Sequence, residues 1–303
     1  MRVGYRRHGA LRGPGPRIKS GVTAVSHPPA PSPMATFLQP FPTLVLSPAM
    51  RQRWPSKLWI VRHGQSAGNV ARDAADAAGL GTIDIDMRDV DVPLSDLGQR
   101  QADALGRWFA SLPEDERPEV LLVSPYVRAR QTAKAICEAG GVAPEARQPR
   151  IDERLREREF GLWDRLTTAG VREKYPDQAE HRAMLGKFYH RPPGGESWAD
   201  VILRLRSALD TVSLHHADRR VLIVCHQVVV LCLRYILEEM DEAQILEIDR
   251  QGDVVNCGVC EYQFEPDDEK SCVPTLCRYN FAAPLVEEDA PVTSAPDAMV
   301  AAR

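Results

Sequence analysis

Three apolar runs in this sequence end in residues that can handle an anion. Leu58-Trp59-Ile60-Val61 leads into Arg62-His63-Gly64-Gln65-Ser66, Val120 to Val123 into Ser124-Pro125-Tyr126-Val127-Arg128, and Val221 to Val224 into Cys225-His226-Gln227. Arginine offers a planar fork that bonds two phosphate oxygens at once and keeps its charge at any working pH. Two arginines and two histidines in one pocket would make a dense cationic site, better matched to a phosphate than to a protein core. A histidine placed there has three readings. As a core residue it satisfies a backbone group, which is also the reading for His181, His190, His215 and His216. As a metal ligand His63 needs partner ligands, and flanking arginines repel a cation. As a nucleophile it needs one neutral ring nitrogen facing phosphorus while the other donates to a fixed acceptor such as a backbone carbonyl. Gly64 would give the close backbone approach needed there.

These groups meet only if the three runs are neighbouring strands, and the rest of the chain is patterned for that. Leu97, Ala104, Leu105, Trp108 and Leu112 mark one face of a helix starting near Ser95 or Asp96. A second helix is predicted through Thr132 to Glu138, ending at Gly140-Gly141. Val201, Leu205, Leu209 and Val212 stripe a third, introduced by Pro193-Gly194-Gly195 and capped by Ser197. Val228 to Leu237 is apolar on nearly all sides and reads as a buried helix. Residues 254 to 264 alternate loosely as a late strand, with a partner around Thr275 to Tyr279. The alternation of strand and helix predicts an α/β fold, three-layer α/β/α, with a mostly parallel sheet covered on both faces. In such sheets ligands collect at the carboxyl ends of the strands, where the three runs end.

Composition narrows the function classes. The chain has 303 residues, 44% hydrophobic and 26% charged, enough to bury a normal core. No apolar run is long enough for a membrane-spanning helix. Residues 1–57 hold no Asp or Glu, so all 42 acidic side chains fall in the remainder, where they outnumber the basic ones. An acidic body argues against nucleic acid as a partner. Residues 1–57 are basic, Pro-rich and without apolar periodicity, and read as a disordered tail, an overlong start before Met34 or Met50, or a transit segment. Residues 284–303 are rich in Ala, Pro and acids and are expected to trail in solvent, which leaves 58–283 as the folded domain. Seven cysteines include Cys257-Gly258-Val259-Cys260, with Cys272 and Cys277 beyond. Residues three apart on a strand point to opposite faces, so this pair could hold zinc only if the strand breaks at Gly258. An odd count without a clear secretion signal fits reduced thiols in a cytoplasm, with Cys137, Cys225 and Cys232 buried.

Taken in order, Arg62-His63-Gly64-Gln65-Ser66, Ser124-Pro125-Tyr126-Val127-Arg128-Ala129-Arg130-Gln131-Thr132, Leu155-Arg156-Glu157-Arg158-Glu159-Phe160-Gly161, Gly194-Gly195-Glu196-Ser197 and Val224-Cys225-His226-Gln227 resemble the histidine phosphatase superfamily, which includes cofactor-dependent phosphoglycerate mutases and fructose-2,6-bisphosphatase. The resemblance covers residues 58 to 264 and implies a phosphoglycerate mutase-like fold. It implies that His63 attacks phosphorus and carries the phosphoryl group, that Arg62, Arg128 and His226 clamp its oxygens with Asn69 as an extra donor, and that water then takes the group. Glu157 matches the family's general acid, with Glu153 and Glu159 in the same charged segment; Phe160-Gly161-x-Trp163 fixes the register on Glu157. No metal or other cofactor is implied, because the arginines supply the neutralising charge.

Two departures bear on the substrate. Gln227 follows the second histidine, as in fructose-2,6-bisphosphatase-like members, and the segment from Glu157 to Glu196 is compact where mutases carry an insertion. Both favour a phosphomonoesterase acting on a small-molecule phosphate ester. Phosphoglycerate mutase-type transfer and a phosphate-binding scaffold without turnover are the alternatives. An insertion-like stretch, Ala71 to Val92, contains Asp84, Asp86, Asp89 and Asp91, which would disfavour a polyanionic substrate if they face the pocket. Arg72, Arg88, Tyr189, His190 and Arg191 are candidate rim residues.

Overall fold

The computed structural model describes residues 54–266 and 272–294. Six strands form one sheet in the order β3-β2-β4-β1-β5-β6: β1 Lys57–Arg62, β2 Val120–Val123, β3 Arg150–Ile151, β4 Arg220–Cys225, β5 Val259–Pro266 and β6 Cys272–Phe281. The strands β1 to β4 run parallel, and β5 and β6 join antiparallel at one side. Central parallel strands are covered on both faces, which is why β1, β2 and β4 read as unbroken apolar runs.

Successive side chains point to opposite faces and so feed two cores. Leu58, Ile60, Val221 and Ile223 pack with Val201, Leu205 and Leu209 of α6 (Trp198–His215), with α7 (Gln227–Leu237), and with Ile245 of α8 (Glu242–Gln251). Trp59, Val61, Leu222 and Val224 pack on the other face with Leu105 and Phe109 of α2 (Asp96–Ser111) and Ile136 of α3 (Val127–Glu138). The cap expected at Ser197 is present as a full capping box with Asp200, and Ser95 caps α2 through Gly98 N. A smaller cluster of Phe160, Trp163, Leu166 and Val171 sits apart from both cores, in the segment holding α4 (Thr168–Lys174) and α5 (Pro176–Tyr189).

Several expectations need correction. The stretch from Ala71 is not all loop: Ala67–Ala77 is a helix, α1, whose buried positions are Asn69, Arg72 and Ala75. Two of those three are polar, and the apolar residues at helical spacing, Ala67, Val70, Ala71 and Ala74, are half-buried or exposed, so the apolar stripe is not the face that packs. The late strand starts at Val259, because Cys257 adopts φ +57° and turns the chain just before it. Cys257 and Cys260 then pack in opposite cores and cannot share an ion. Cys137 is partly exposed rather than buried. Residues 284–294 do not trail in solvent. Ala283–Glu287 forms α9, Leu285 is buried beside Trp59 and Phe109, and Gln101 Nε2 donates to Pro291 O at 2.7 Å and to Thr293 Oγ1 at 2.9 Å. One leucine and a few backbone bonds suffice for this, too little to show in composition. Expectations for residues 1–53 and 295–303 lie outside the described residues, and no helix among those described is long and apolar enough to cross a membrane.

Candidate active site

Strand register sets the three run-ends side by side. Arg62 of β1 aligns with Cys225 of β4, and Val123 of β2 with Val224. Each chain leaves the sheet with one more ladder bond: His63 N donates to Cys225 O, and Ser124 N to Val224 O, both at 3.0 Å. The rings of His63 and His226 consequently meet edge-on with centroids 5.1 Å apart.

The loop carrying His63 is fixed from several sides. Gly64 and Gly98 press backbone to backbone: a Cβ on Gly98 would lie 1.8 Å from Gln65 O, and one on Gly64 2.5 Å from Gly98 O. Gly64 N donates to Thr132 Oγ1 at 3.1 Å and Gln65 N to Gln101 Oε1 at 2.8 Å. Asn256 Nδ2 holds His63 O at 3.2 Å. Side chains from α3, α2 and the turn before β5 therefore converge on a few peptide groups.

This rigidity sets the chemistry of the ring. His63 Nδ1 lies 2.6 Å from Gly64 O, and a carbonyl can only accept, so Nδ1 carries the proton and Nε2 the lone pair. Arg128 Nε donates to that lone pair at 3.1 Å. Arg128 opens α3 and is 1% exposed. Its guanidinium lies over the Tyr126 ring, 4.8 Å from the centroid, and its other edge is taken by Asp89: Nη1 donates to Asp89 Oδ1 at 2.9 Å and to its backbone O at 2.6 Å, Nη2 to Oδ2 at 3.2 Å.

Arg62 is fully buried and donates from Nη1 to Val254 O at 2.5 Å. Asn69 is oriented by the cap of α1. Its Oδ1 accepts from Ser66 N at 2.8 Å, which makes its Nδ2 the donor end. His226 stands at the N-terminus of α7 with Nε2 2.7 Å from Ser124 Oγ, and Tyr126 packs edge-on against its ring. Of the three glutamates in one segment, Glu153 and Glu159 are exposed and Glu157 is fully buried. Glu157 Oε1 accepts from Arg158 N at 2.7 Å, whereas Glu159 turns its Oε1 to Gly161 N. Burial pushes the Arg158 guanidinium down to about 10, with Glu157 and Glu196 opposing. The Tyr126 phenol is pushed up, first by burial and then by Asp89, with smaller contributions from Glu159 and Glu157.

The rim residues separate. Arg72 is buried, pairs with Asp76 at 3.2 Å and has Nη1 without a hydrogen-bond partner; burial lowers its pKa. His190 is fully buried, stacked on Trp163 at 4.7 Å, and burial next to Arg182 and Arg158 pushes it down to about 4. Arg88, Tyr189 and Arg191 are exposed, with Arg88 paired to Asp91 and Arg191 to Asp200. Of the acidic stretch, Asp84 and Asp86 face solvent and Asp89 faces the pocket. Ser124, Tyr126 and Asp89 touch the central residues without having been singled out for it. The first two lie inside a motif, and Asp89 was visible only as one of four loop acids.

Residues 58–273 match the histidine phosphatase superfamily (branch 1). A 6-phosphofructo-2-kinase/fructose-2,6-bisphosphatase from Caenorhabditis elegans is 31% identical over 180 residues, 59% of this chain and 33% of that protein, so the chain spans about a third of the relative's length. The phosphoglycerate mutase-like protein AT74H of Arabidopsis thaliana is 28% identical over 221 residues, 67% of this chain and 72% of its own. Among solved structures, a mycobacterial glucosyl-3-phosphoglycerate phosphatase complexed with VO3 superposes with a TM-score of 0.55 at 25% identity, over 74% of this chain and 99% of that one. With a family match that covers residues 58–273, from β1 into β6, the chain belongs to the histidine phosphatase superfamily, branch 1.

Proposed function

We propose that this chain is a metal-independent phosphomonoester hydrolase working through a phosphohistidine on His63. The observation that carries the reading is the ring tautomer: Nδ1 is committed to Gly64 O, and the Nε2 lone pair sits against Arg128. Substrate phosphoryl oxygen takes over the Arg128 donor, which frees Nε2 to attack phosphorus. The ester P–O bond breaks, and the Glu157 carboxyl gives its proton to the leaving oxygen. In the second half, the Glu157 carboxylate takes a proton from water as the water oxygen attacks. The P–N bond breaks, its electron pair returns to Nε2, and orthophosphate leaves. Arg62, Arg128, His226 and Asn69 hold the equatorial oxygens in both halves, each worth very roughly 3 kcal/mol to the transition state as a preorganised donor. The substrate is a small phosphate ester, the class to which the relatives' names point.

A panel of phosphate esters assayed without added metal, combined with rapid alkaline quench, tests this. Acid-labile phosphate should appear on His63, orthophosphate should be released, and His63→Ala should lose both. Full turnover in His63→Ala would reject the mechanism. Activity that depends strictly on a bisphosphoglycerate would instead favour mutase-type transfer.

A further inference from the structure

The groups assigned to the reaction lie under cover. Arg62, His63, Glu157 and His226 are 0% exposed, Asn69 and Arg128 1%. Beside Arg128 the cleft shared with Asn69, Ile85, Met87, Asp89 and Arg165 amounts to only about 30 Å³. Its cover is the strap 83–92. Bridges pin both ends, Thr82 to Leu166 and Ser66 to Leu94, and Ile83 N donates to Arg165 O at 2.9 Å. Between them only Ile83 and Val92 are buried, and Asp84, Asp86, Met87 and Arg88 are exposed. The middle of the strap is fastened by Asp89, whose carboxylate and carbonyl engage Nη1 and Nη2 of Arg128.

A carboxylate on a guanidinium fork occupies the donors that a phosphoryl group would use, with the same bidentate geometry. We propose that Asp89 is a specificity-determining residue, an internal competitor for the phosphoryl site of Arg128 that opens the strap only to a ligand able to displace it and that selects against a second anionic group near the reacting phosphate. The proposal rests on the phosphoryl-binding role assigned above to Arg128. A phosphoryl dianion, with His63, Arg62 and His226 as further partners, displaces a singly charged carboxylate that has Arg128 alone. A bisphosphate brings its second group up against the strap, where Asp164 already feels Asp89: burial first and that charge second raise the Asp164 pKa.

The test is orthophosphate binding by calorimetry to the full chain and to Asp89→Asn, Asp89→Ala and Asp86→Asn, with kcat and KM for a matched monophosphate and bisphosphate pair such as fructose 6-phosphate and fructose 1,6-bisphosphate. Both Asp89 variants should bind orthophosphate on the order of tenfold more tightly and lower KM similarly, with a larger gain for the bisphosphate. Asp86→Asn, an exposed neighbour of the same charge, should stay within about twofold. Orthophosphate affinity that is unchanged or weaker in both Asp89 variants would overturn the proposal and leave Asp89 as a prop for Arg128. The covalent reading is judged separately by the quench on wild type. Phosphate binding without phosphohistidine sinks that mechanism and leaves the Asp89 comparison readable, whereas phosphohistidine in wild type with no Asp89 effect sinks this inference alone.

Discussion

The site has a floor and a roof built on different principles. The floor is the carboxyl edge of β1, β4 and β2, where His63, Ser124 and His226 continue strands that are buried on both faces and whose backbone bonds run on past the sheet. The roof is the strap 83–92 together with the segment from Glu157 to Glu196, whose own apolar cluster is four buried residues, Phe160, Trp163, Leu166 and Val171. Opening the floor means breaking the main core, whereas the middle of the strap is held chiefly by one carboxylate on one arginine. The proposed nucleophile, which must keep one tautomer, lies on the first, and the proposed cover, which must admit substrate, is built from the second.

The sharpest way to break the contrast is Gly98→Ala. Its Cβ would sit 1.8 Å from Gln65 O, a backbone atom that cannot swing aside without dragging the His63 loop. We expect a loss of about 4 kcal/mol or more, read as a collapse of the urea unfolding midpoint, with activity lost in whatever folds. An unfolding free energy within about 1 kcal/mol of wild type would mean that the floor is not rigid.

Glu157→Gln acts where roof and floor meet. The fold should survive, since the amide keeps an oxygen to accept from Arg158 N, but proton delivery is lost. Phosphohistidine formation should slow by about 10²–10⁴ with an alkyl phosphate and far less with an activated aryl phosphate, whose leaving group needs no proton, while hydrolysis of the phosphohistidine slows equally for both. Equal losses in phosphohistidine formation on both would reject Glu157 as the acid.

How much of this could be read from the chain follows the same division. The floor was legible because central parallel strands require continuous apolar runs, and an Arg62-His63 or a Cys225-His226 directly after such a run stands out. Ser197 was legible because a Ser before an amphipathic stripe is a cap by chemistry. The roof was much less so. In α1 the buried positions are Asn69, Arg72 and Ala75, while the apolar residues at helical spacing, Ala67, Val70, Ala71 and Ala74, are half-buried or exposed, so the apolar pattern points away from the face that packs. Asp89 differs from Asp84 and Asp86 only in where the strap carries it, and Leu285 docks as a single apolar residue in an acidic, proline-rich stretch. Path-dependent contacts of this kind leave no local pattern.

The roof's own cluster gives a smaller effect with a definite sign. His190, stacked on Trp163 with no hydrogen-bond partner on either ring nitrogen, is pushed down from 6.5 to about 4 by burial and by Arg182 and Arg158. Between those values the unfolded chain binds a proton that the folded one refuses, so stability falls as pH drops from about 6.5 to about 4. His190→Phe removes that term. Its stability relative to wild type should improve on going from pH 7.5 to pH 5 by about 1–2 kcal/mol, measured by urea unfolding at both. Asp200, held down to about 2 in spite of burial by its bonds to Arg191 and Ser197, loses its contribution only below its usual value of 3.8, outside that window. Parallel pH profiles for variant and wild type would show that the ring is protonated in place.

The smallest change in stability should come from the strap itself, and it is the most discriminating. Ile85 is only partly buried, with its Cδ1 near Gly68, so Ile85→Ala should shift the unfolding free energy by no more than about 1 kcal/mol. Hydrogen exchange separates this from a change in the floor. Amides of 84–91 should exchange by local opening in wild type, faster still in Ile85→Ala and Asp89→Asn, while amides of β1 stay at the limit set by global unfolding in all three. If residues 84–91 were protected as strongly as β1, roof and floor would open only together, and substrate could not enter without unfolding the sheet edge that holds His63.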